Sequence, residues 1–125
     1  MEIYIDLQIS SKTHNVNLDG LLNLKGKMHR IGDKSKTGII LDYSQWNYSF
    51  NTIQIHDINE VATAFFDEID KIKDKLKSYI KETASDVVVY FVIKNYDNEY
   101  IHLDLSKDNI TKFSEIEASI SVDGI

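Results

Sequence analysis

The chain has 125 residues, of which 42% are hydrophobic and 27% are charged, and it contains no cysteine. This size and composition are typical of one globular domain, residues 1–125, and not of a disordered chain. The lack of cysteine excludes disulfides, thiolate nucleophiles and sulfur-ligated zinc sites. No apolar run approaches the roughly 20 residues that span a bilayer, and the first residues are acidic where a signal peptide is basic. We therefore expect a cytoplasmic protein that does not bind membranes.

The net charge of −6 is unevenly distributed along the sequence. Residues 1–50 have a balance of +1, and residues 51–125 have a balance of −7. Such an acidic surface disfavours nucleic acid and favours a basic partner. The local exception is residues 25–36, here called the basic segment, which contain five basic residues and one acidic residue.

The N-terminal third predicts a strand followed by a short helix. Residues 2–9 alternate between apolar and polar side chains, which indicates a strand with one face on the core. Asn17 is a suitable cap for a short helix that runs to Leu24 and ends near Gly26. Residues 25–42 are the least regular part of the sequence.

The middle of the sequence predicts an aromatic strand and a long helix. Residues 45–50 alternate so that three aromatic side chains share one face. Asp57 then begins a helix with apolar residues at three- and four-residue spacing as far as Ile80. Because a helix of about 24 residues would measure roughly 36 Å, we expect it to bend near Ile69 to Lys73.

The last third contains the strongest strand signal in the sequence. Val87 to Ile93 form an unbroken apolar run, which predicts a strand in the middle of a sheet that is covered on both faces or has very little exposed surface. A turn at 95–98, a strand at 100–105, a helix capped by Ser106 and a strand at 119–123 follow.

From residue 45 onward the predicted order is strand, helix, strand, strand, helix, strand. This order is that of a ferredoxin-like fold (a split βαβ), in which helices cover one face of an antiparallel sheet. The sequence therefore predicts the α+β class, with the first strand and the short helix as additions.

Several short motifs also resemble a known family. They are the opening strand, the Arg30-Ile31-Gly32-Asp33 step, the Trp46-Asn47-Tyr48 strand, the long helix and the closing Ile120-Ser121-Val122-Asp123 strand. Together they resemble the small bacterial proteins grouped as domain of unknown function 4279, over almost the whole chain. The resemblance implies an α+β fold, and it brings no activity and no catalytic residue.

The aromatic strand has two interpretations. Trp46, Tyr48 and Phe50 are suited to stacking bases or gripping a peptide, as sheet aromatics do in readers of single-stranded RNA. They are also suited to packing under the long helix against Phe65 and Phe66, and we favour this core interpretation because large aromatics on one strand face mostly belong to the core.

The basic segment suggests an anion-binding site. With its glycines it can bend around a phosphate, and the sole arginine, Arg30, is the first candidate contact because guanidinium groups make bidentate contacts. His29 and Lys34 would assist, with Trp46 or Tyr43 as a wall. The alternative is a solvated loop, since neither a Walker motif nor a G-x-G-x-x-G motif is present.

Neither a metal site nor catalysis is indicated. The four histidines show no His-x-x-x-His pair, and no G-x-S-x-G nucleophile elbow occurs. We expect no metal and no cofactor, and we do not expect an enzyme.

The function that we favour from the sequence is a non-catalytic domain that binds a basic protein, of immunity or inhibitor type. The candidate contacts are acidic residues on the long helix and near the predicted strand at 100–105: Asp67, Asp70, Asp74, Asp97 and Asp104. Opposite charge would speed the encounter of the two proteins. The alternative function is a small module, or a weak enzyme, that binds an anionic ligand at the basic segment and the aromatic strand.

Overall fold

The structure, a computed structural model, describes residues 2–50, 57–94 and 104–124. Five strands form one sheet: β1 (Glu2–Ser11), β2 (Lys27–His29), β3 (Ser44–Phe50), β4 (Asp86–Lys94) and β5 (Ala118–Gly124). Four helices are described: α1 (Asp19–Leu22), α2 (Ile58–Ile69), α3 (Lys73–Glu82) and α4 (Lys107–Glu115). The strand order is β2-β3-β1-β4-β5. The predicted α+β class is confirmed.

Strand β1 lies in the middle of the sheet and pairs antiparallel with both β3 and β4. Its apolar side chains (Ile3, Ile5, Leu7 and Ile9) are at most 1% exposed. The polar residues between them are half-buried on the opposite face. The predicted period of two is therefore confirmed, but the strand that we expected to be an addition is the centre of the sheet.

The apolar run in β4 is less deeply covered than its sequence predicts. Val88 and Tyr90 are half-buried, whereas the residues on either side of each are buried. Only Phe91–Ile93, at the end of the run, is buried without interruption. Of the two predicted alternatives, full cover on both faces is thus wrong for most of the strand, whereas no residue from Val87 to Ile93 is exposed. Valine and tyrosine also favour strands that are covered mainly on one face.

The sheet is mixed and not purely antiparallel, because β5 runs parallel to β4. Helix α4 lies between these two strands in the sequence, and parallel neighbours need a long crossover connection of this kind. The predicted turn at 95–98 and residues 100–103 of the predicted strand lie outside the described residues, and residues 104–105 are not in a strand. The coarse fold is thus established, and the ferredoxin-like arrangement stays a prediction.

The helices connect to the sheet through a cluster of aromatic rings. Phe50 of β3 contacts Phe65 of α2 with ring centroids 4.9 Å apart, and Phe65 contacts Phe66 at 5.2 Å. Phe113 of α4 lies 4.5 Å from Phe66 and 5.7 Å from Phe91 of β4. The core interpretation of the aromatic strand agrees with these contacts, since one face of the sheet is the floor on which α2 and α4 pack.

The long helix is interrupted as predicted. A 3-10 turn at Asp70–Ile72 separates α2 from α3. The N-cap of α2 is Asp57, whose carboxylate accepts a hydrogen bond from the Asn59 amide at 2.8 Å.

The Asn59 side chain joins the N-termini of α2 and α4. Its Nδ2 donates to the Asp104 carbonyl at 2.8 Å, and its Oδ1 accepts from the Ser106 amide at 2.7 Å. The same Oδ1 accepts from Asn109 Nδ2 at 3.1 Å. Ser106 caps α4 as predicted, accepting from the Asn109 amide at 3.2 Å.

Helix α1 is shorter than predicted. Leu18, and not Asn17, occupies the N-cap position, while the Asn17 side chain accepts from the Asp19 amide. The helix ends at Asn23, which adopts the left-handed conformation with φ of 51°, and not at Gly26. Gly26 instead lies against the indole of Trp46, and a Cβ placed there would be 2.3 Å from Nε1.

We predict that Gly26→Ala destabilises the fold by about 1–3 kcal/mol, since a methyl group would overlap a fully buried ring that has no room to move. The free energy of unfolding from urea denaturation checks this. Gly20→Ala is the matched control, because nothing lies within 4 Å of its added Cβ. Equal stability of the two variants would contradict the prediction.

Candidate functional site

Residues 30–43, which connect β2 to β3, form an ordered hairpin-like loop. The Gly32 amide donates to the Leu41 carbonyl, and the Leu41 amide donates to the Asp33 carbonyl, both at 2.8 Å. Lys34 lies opposite Ile40 in an antiparallel bridge. Residues 25–42, which we expected to be irregular, therefore contain a strand, β2, followed by a hydrogen-bonded loop. We call residues 30–43 the β2–β3 loop.

Much of the backbone of the β2–β3 loop is unavailable to an anion. The Arg30 amide donates to Asp33 Oδ2 at 2.7 Å, and the Ile31 amide donates to Asn15 Oδ1 at 2.8 Å. The amides of Gly32 and Gly38 also donate within the loop. Since a phosphate cradle needs converging free amides, the anion-binding capacity that remains belongs to exposed basic side chains.

The candidate ligand residues separate onto the two faces of the sheet. His29 is opposite Gln45, whereas Trp46 is opposite Met28, so the His29 and Trp46 side chains point to different faces. The His29 ring contacts the Tyr43 ring edge-on at 4.9 Å. The structure brings His29 and Tyr43 together but places the fully buried Trp46 on the helix-covered side.

A carboxylate that the sequence did not single out holds Trp46. Asp19 Oδ1 accepts from Trp46 Nε1 at 2.7 Å and from the Gly26 amide at 2.9 Å. These hydrogen bonds lower the pKa of Asp19, and the bond from Trp46 has the largest effect. The nearby charge of Lys25 lowers the pKa further. No periodicity or motif marks Asp19, because its partners are distant in the sequence or lie in a loop.

We predict that protonation of Asp19 weakens the fold. The pKa of Asp19 is lowered in the folded state, so the ionised carboxylate stabilises the fold. This stabilisation is present above the ordinary pKa of 3.8 and is lost as the pH falls through the lower pKa of the folded state. Asp19→Asn should therefore lower stability at neutral pH, and its difference from wild type should shrink in acid.

Urea denaturation at neutral and acidic pH measures this difference. Trp46 is the single tryptophan, so its fluorescence also reports the titration directly. A wild-type emission spectrum that does not change in acid before the protein unfolds would contradict the assignment.

Three of the predicted partner contacts lie along α2, the 3-10 turn and α3. Asp67, Asp70 and Asp74 are all exposed, and we call them the acidic helix surface. Among the described residues the ion pairs are Glu68 with Lys71 at 3.8 Å, and Lys73 with Glu115. The acidic helix surface therefore forms no ion pair with any described residue.

Lysines alternate with these carboxylates along the same segment, at Lys71, Lys73 and Lys75, and the pKa of Lys73 responds to them. The pKa of Lys73 is raised, first by its hydrogen bond to Glu115 and also by the charges of Glu115, Asp70 and Asp74. The pKa of Glu115 is lowered by the same hydrogen bond. Lys73 thus forms an ion pair with Glu115, while the carboxylates of Asp70 and Asp74 are exposed to solvent.

The other two predicted contacts are placed differently. Asp97 lies outside the described residues. Asp104 is exposed beside the N-terminus of α2, where its carbonyl accepts from Asn59. The acidic residues therefore occupy both ends of α2, with Asp67, Asp70 and Asp74 at the C-terminal side.

Two recesses in the surface were not foreseen from the sequence. One, of about 490 Å³, lies between the C-terminal end of α3 and the end of α4, with Lys77 and Glu117 among its lining residues. The other, of about 230 Å³, is here called the apolar recess and is lined mainly by Leu22, Leu24, Tyr48, Phe50, Ile69 and Ile72. Glu68 and Lys71 also line it. Recesses of this kind form between elements that are distant in sequence, so no local pattern reveals them.

The described ranges contain neither a metal-binding cluster nor a membrane-spanning helix. Within residues 2–50, 57–94 and 104–124, no group of three or more metal-binding side chains is close enough to hold an ion. In the same ranges, no helix has the length and apolar character needed to cross a bilayer.

Comparison with known proteins gives one match. The model of the family DUF4279, described as a domain of unknown function, matches residues 1–124. No curated protein and no solved structure matches the chain. The resemblance noted from the sequence motifs is thereby confirmed.

Proposed function

Because the chain belongs to the DUF4279 family, whose description names no activity, we propose a function from its surfaces: a non-catalytic domain that binds a basic protein. The acidic helix surface is the observation that supports this proposal. Its carboxylates are exposed and unpaired among the described residues, and the whole chain has a net charge of −6. A basic partner would supply the countercharge that these carboxylates lack.

We expect the acidic helix surface to raise the rate at which the protein meets its partner. Single exposed ion pairs contribute at most about 1 kcal/mol, so three carboxylates alone do not give tight binding. An excess of charge of one sign on a whole protein, here −6, however raises association rates by about 10–10³-fold and selects partners of the opposite sign. This behaviour suits an immunity or inhibitor protein that must cover the active site of a basic toxin or nuclease quickly.

We predict that Asp67→Asn/Asp70→Asn/Asp74→Asn slows association with the natural partner at least about tenfold, because it removes the steering charge. The partner is first captured with the wild-type protein from a lysate of the native host at low salt and then purified. Stopped-flow association kinetics at increasing salt measure the effect, and the wild-type and variant rates should converge as salt rises.

A matched control removes the same number of charges elsewhere. Glu82→Gln/Asp86→Asn/Asp123→Asn changes three exposed carboxylates outside the acidic helix surface. This control should keep most of the wild-type rate. If no protein partner is recovered at low salt, or if both triple variants slow association equally, the proposal fails.

A second candidate is supported by one observation at the root of the β2–β3 loop. His29 Nε2 is buried and has no hydrogen-bond partner among the described residues. Buried polar atoms usually have a partner, so a bound polar group would satisfy this nitrogen. The chemistry would be an anionic ligand held by His29, Arg30 and Lys34, with Tyr43 as a wall.

We predict for this second candidate that a nucleotide or phosphorylated metabolite raises the melting temperature, and that Arg30→Ala abolishes the increase. A thermal-shift screen measures it, with Lys107→Ala as a control for loss of one exposed positive charge elsewhere. A screen without any shift, or a shift that survives Arg30→Ala, counts against the candidate.

A further inference from the structure

Strand β5 is the last strand of the sheet, and we call its outer side the β5 edge. Among the described residues, β5 pairs with β4 alone, in a parallel register that runs from Val87 with Ala118 to Ile93 with Gly124. Alternate backbone N–H and C=O groups of β5 therefore point away from β4. A row of such groups is a template for one more strand, because a strand added there pairs them.

The β5 edge lacks most of the features that keep other edge strands unpaired. Very short strands, proline, lysine and β-bulges are the common protective features. Strand β5 has seven residues, contains neither proline nor lysine, and keeps an unbroken register with β4. Asp123, near its end, is its single charged residue. The backbone of the β5 edge is thus accessible to another strand.

Two apolar side chains of β5 are exposed although they lie on the face of the sheet that carries the core. Ile120 is opposite Val89 and Val122 is opposite Phe91, so both share the face of these fully buried residues. Ile120 is nevertheless 39% exposed and Val122 is 46% exposed. The core face therefore ends at β5 in apolar side chains that solvent reaches, and a strand added at the β5 edge would cover them.

The sequence of β5 is complementary to itself. From its first residue to its last it reads small, polar, β-branched, polar, β-branched, polar, small, which is the same in both directions about Ser121. An antiparallel pair of two copies centred on Ser121 therefore places Ile120 opposite Val122, a favourable pair of β-branched side chains. It also places Ser119 opposite Asp123, so that the two aspartates do not meet. A centre at any other residue shortens the overlap of the two strands.

We propose that this chain forms a symmetric dimer in which the β5 strands of two copies pair antiparallel about Ser121, so that the two sheets become one continuous sheet. The contact is closed, because each copy uses the same β5 edge. It consists of one strand pair and a few apolar side chains, which is small beside the roughly 1,200–2,000 Å² of stable interfaces. We therefore expect a weak dimer that is populated at high protein concentration.

Cysteine cross-linking tests both the contact and its register, since the chain has no cysteine of its own. Ser121→Cys places the thiols of the two copies opposite each other, within reach of a disulfide. The control Ser119→Cys lies on the same face of the same strand, but its two thiols would be roughly 13 Å apart along the strands. Under mild oxidation with copper phenanthroline, Ser121→Cys should form the covalent dimer at least tenfold faster, as measured on non-reducing gels.

Light scattering coupled to size-exclusion chromatography, from roughly 10 μM to roughly 1 mM, measures the dimer without a cross-link. The mass should rise from the 14.4 kDa of one chain towards twice that value. Ile120→Lys/Val122→Lys places like charges opposite each other across the contact and should stay monomeric. The control Ile39→Lys/Ile40→Lys adds the same charge at two exposed isoleucines of the β2–β3 loop, beside the opposite edge of the sheet, and should still dimerise.

A charge exchange adds a gain of association to this loss. Ile120→Glu/Val122→Glu also places like charges across the contact and should be monomeric alone. In an equimolar mixture with Ile120→Lys/Val122→Lys, each lysine would be opposite a glutamate, and association should return. Ile120 and Val122 are exposed, and thermal melting verifies that each variant is folded.

Each measurement can overturn the proposal. A wild-type chain that stays monomeric over the whole concentration range overturns it and leaves the β5 edge to a strand of a different protein. Equal cross-linking rates of Ser121→Cys and Ser119→Cys overturn it as well, even where a lysine variant is unstable. A dimer that survives Ile120→Lys/Val122→Lys, or a mixture of the two charged variants that stays monomeric, has the same meaning.

Discussion

The burial of one face of β1 between β3 and β4 is the constraint on which the rest of the structure depends. Its four apolar side chains are the floor of the core, and all are at most 1% exposed. Because successive residues of a strand point to opposite faces, a shift of one residue would expose them all. Register at β1 therefore fixes which face of the sheet receives α2 and α4. It also fixes which side chains of β3 lie inside, Trp46 among them, and so where the β2–β3 loop and the apolar recess can form.

Local patterns predicted the elements better than the way in which they assemble. The alternation in residues 2–9, the aromatic strand, the break near Ile69 and the Ser106 cap are confirmed, because each depends on neighbours within about one turn or one strand. The central position of β1 and the parallel pairing of β4 with β5 were missed. Strand order depends on contacts between residues far apart in the chain, and an apolar run in β4 is compatible with either a central or an adjacent position.

The candidate surfaces, like the fold, could be predicted from the sequence only in part. Charge composition was enough to single out Asp67, Asp70 and Asp74, since carboxylates on the polar face of an amphipathic helix are exposed by default. Composition did not reveal that the loop amides bond internally, or that His29 and Trp46 point to opposite faces. The apolar recess and the Asp19 hydrogen bonds were equally invisible, because each joins segments that only the folded chain brings together.

The Asn59 side chain has one more consequence, which concerns chemical ageing. Its Nδ2 is a donor to a carbonyl oxygen, and its Oδ1 is an acceptor for two donors. Deamidation would replace that nitrogen with a negatively charged oxygen facing the Asp104 carbonyl, two acceptors with no proton between them. A change of a single atom at this position, without any change in side-chain size, would thus remove one of the three hydrogen bonds that link the Asn59 side chain to the start of α4.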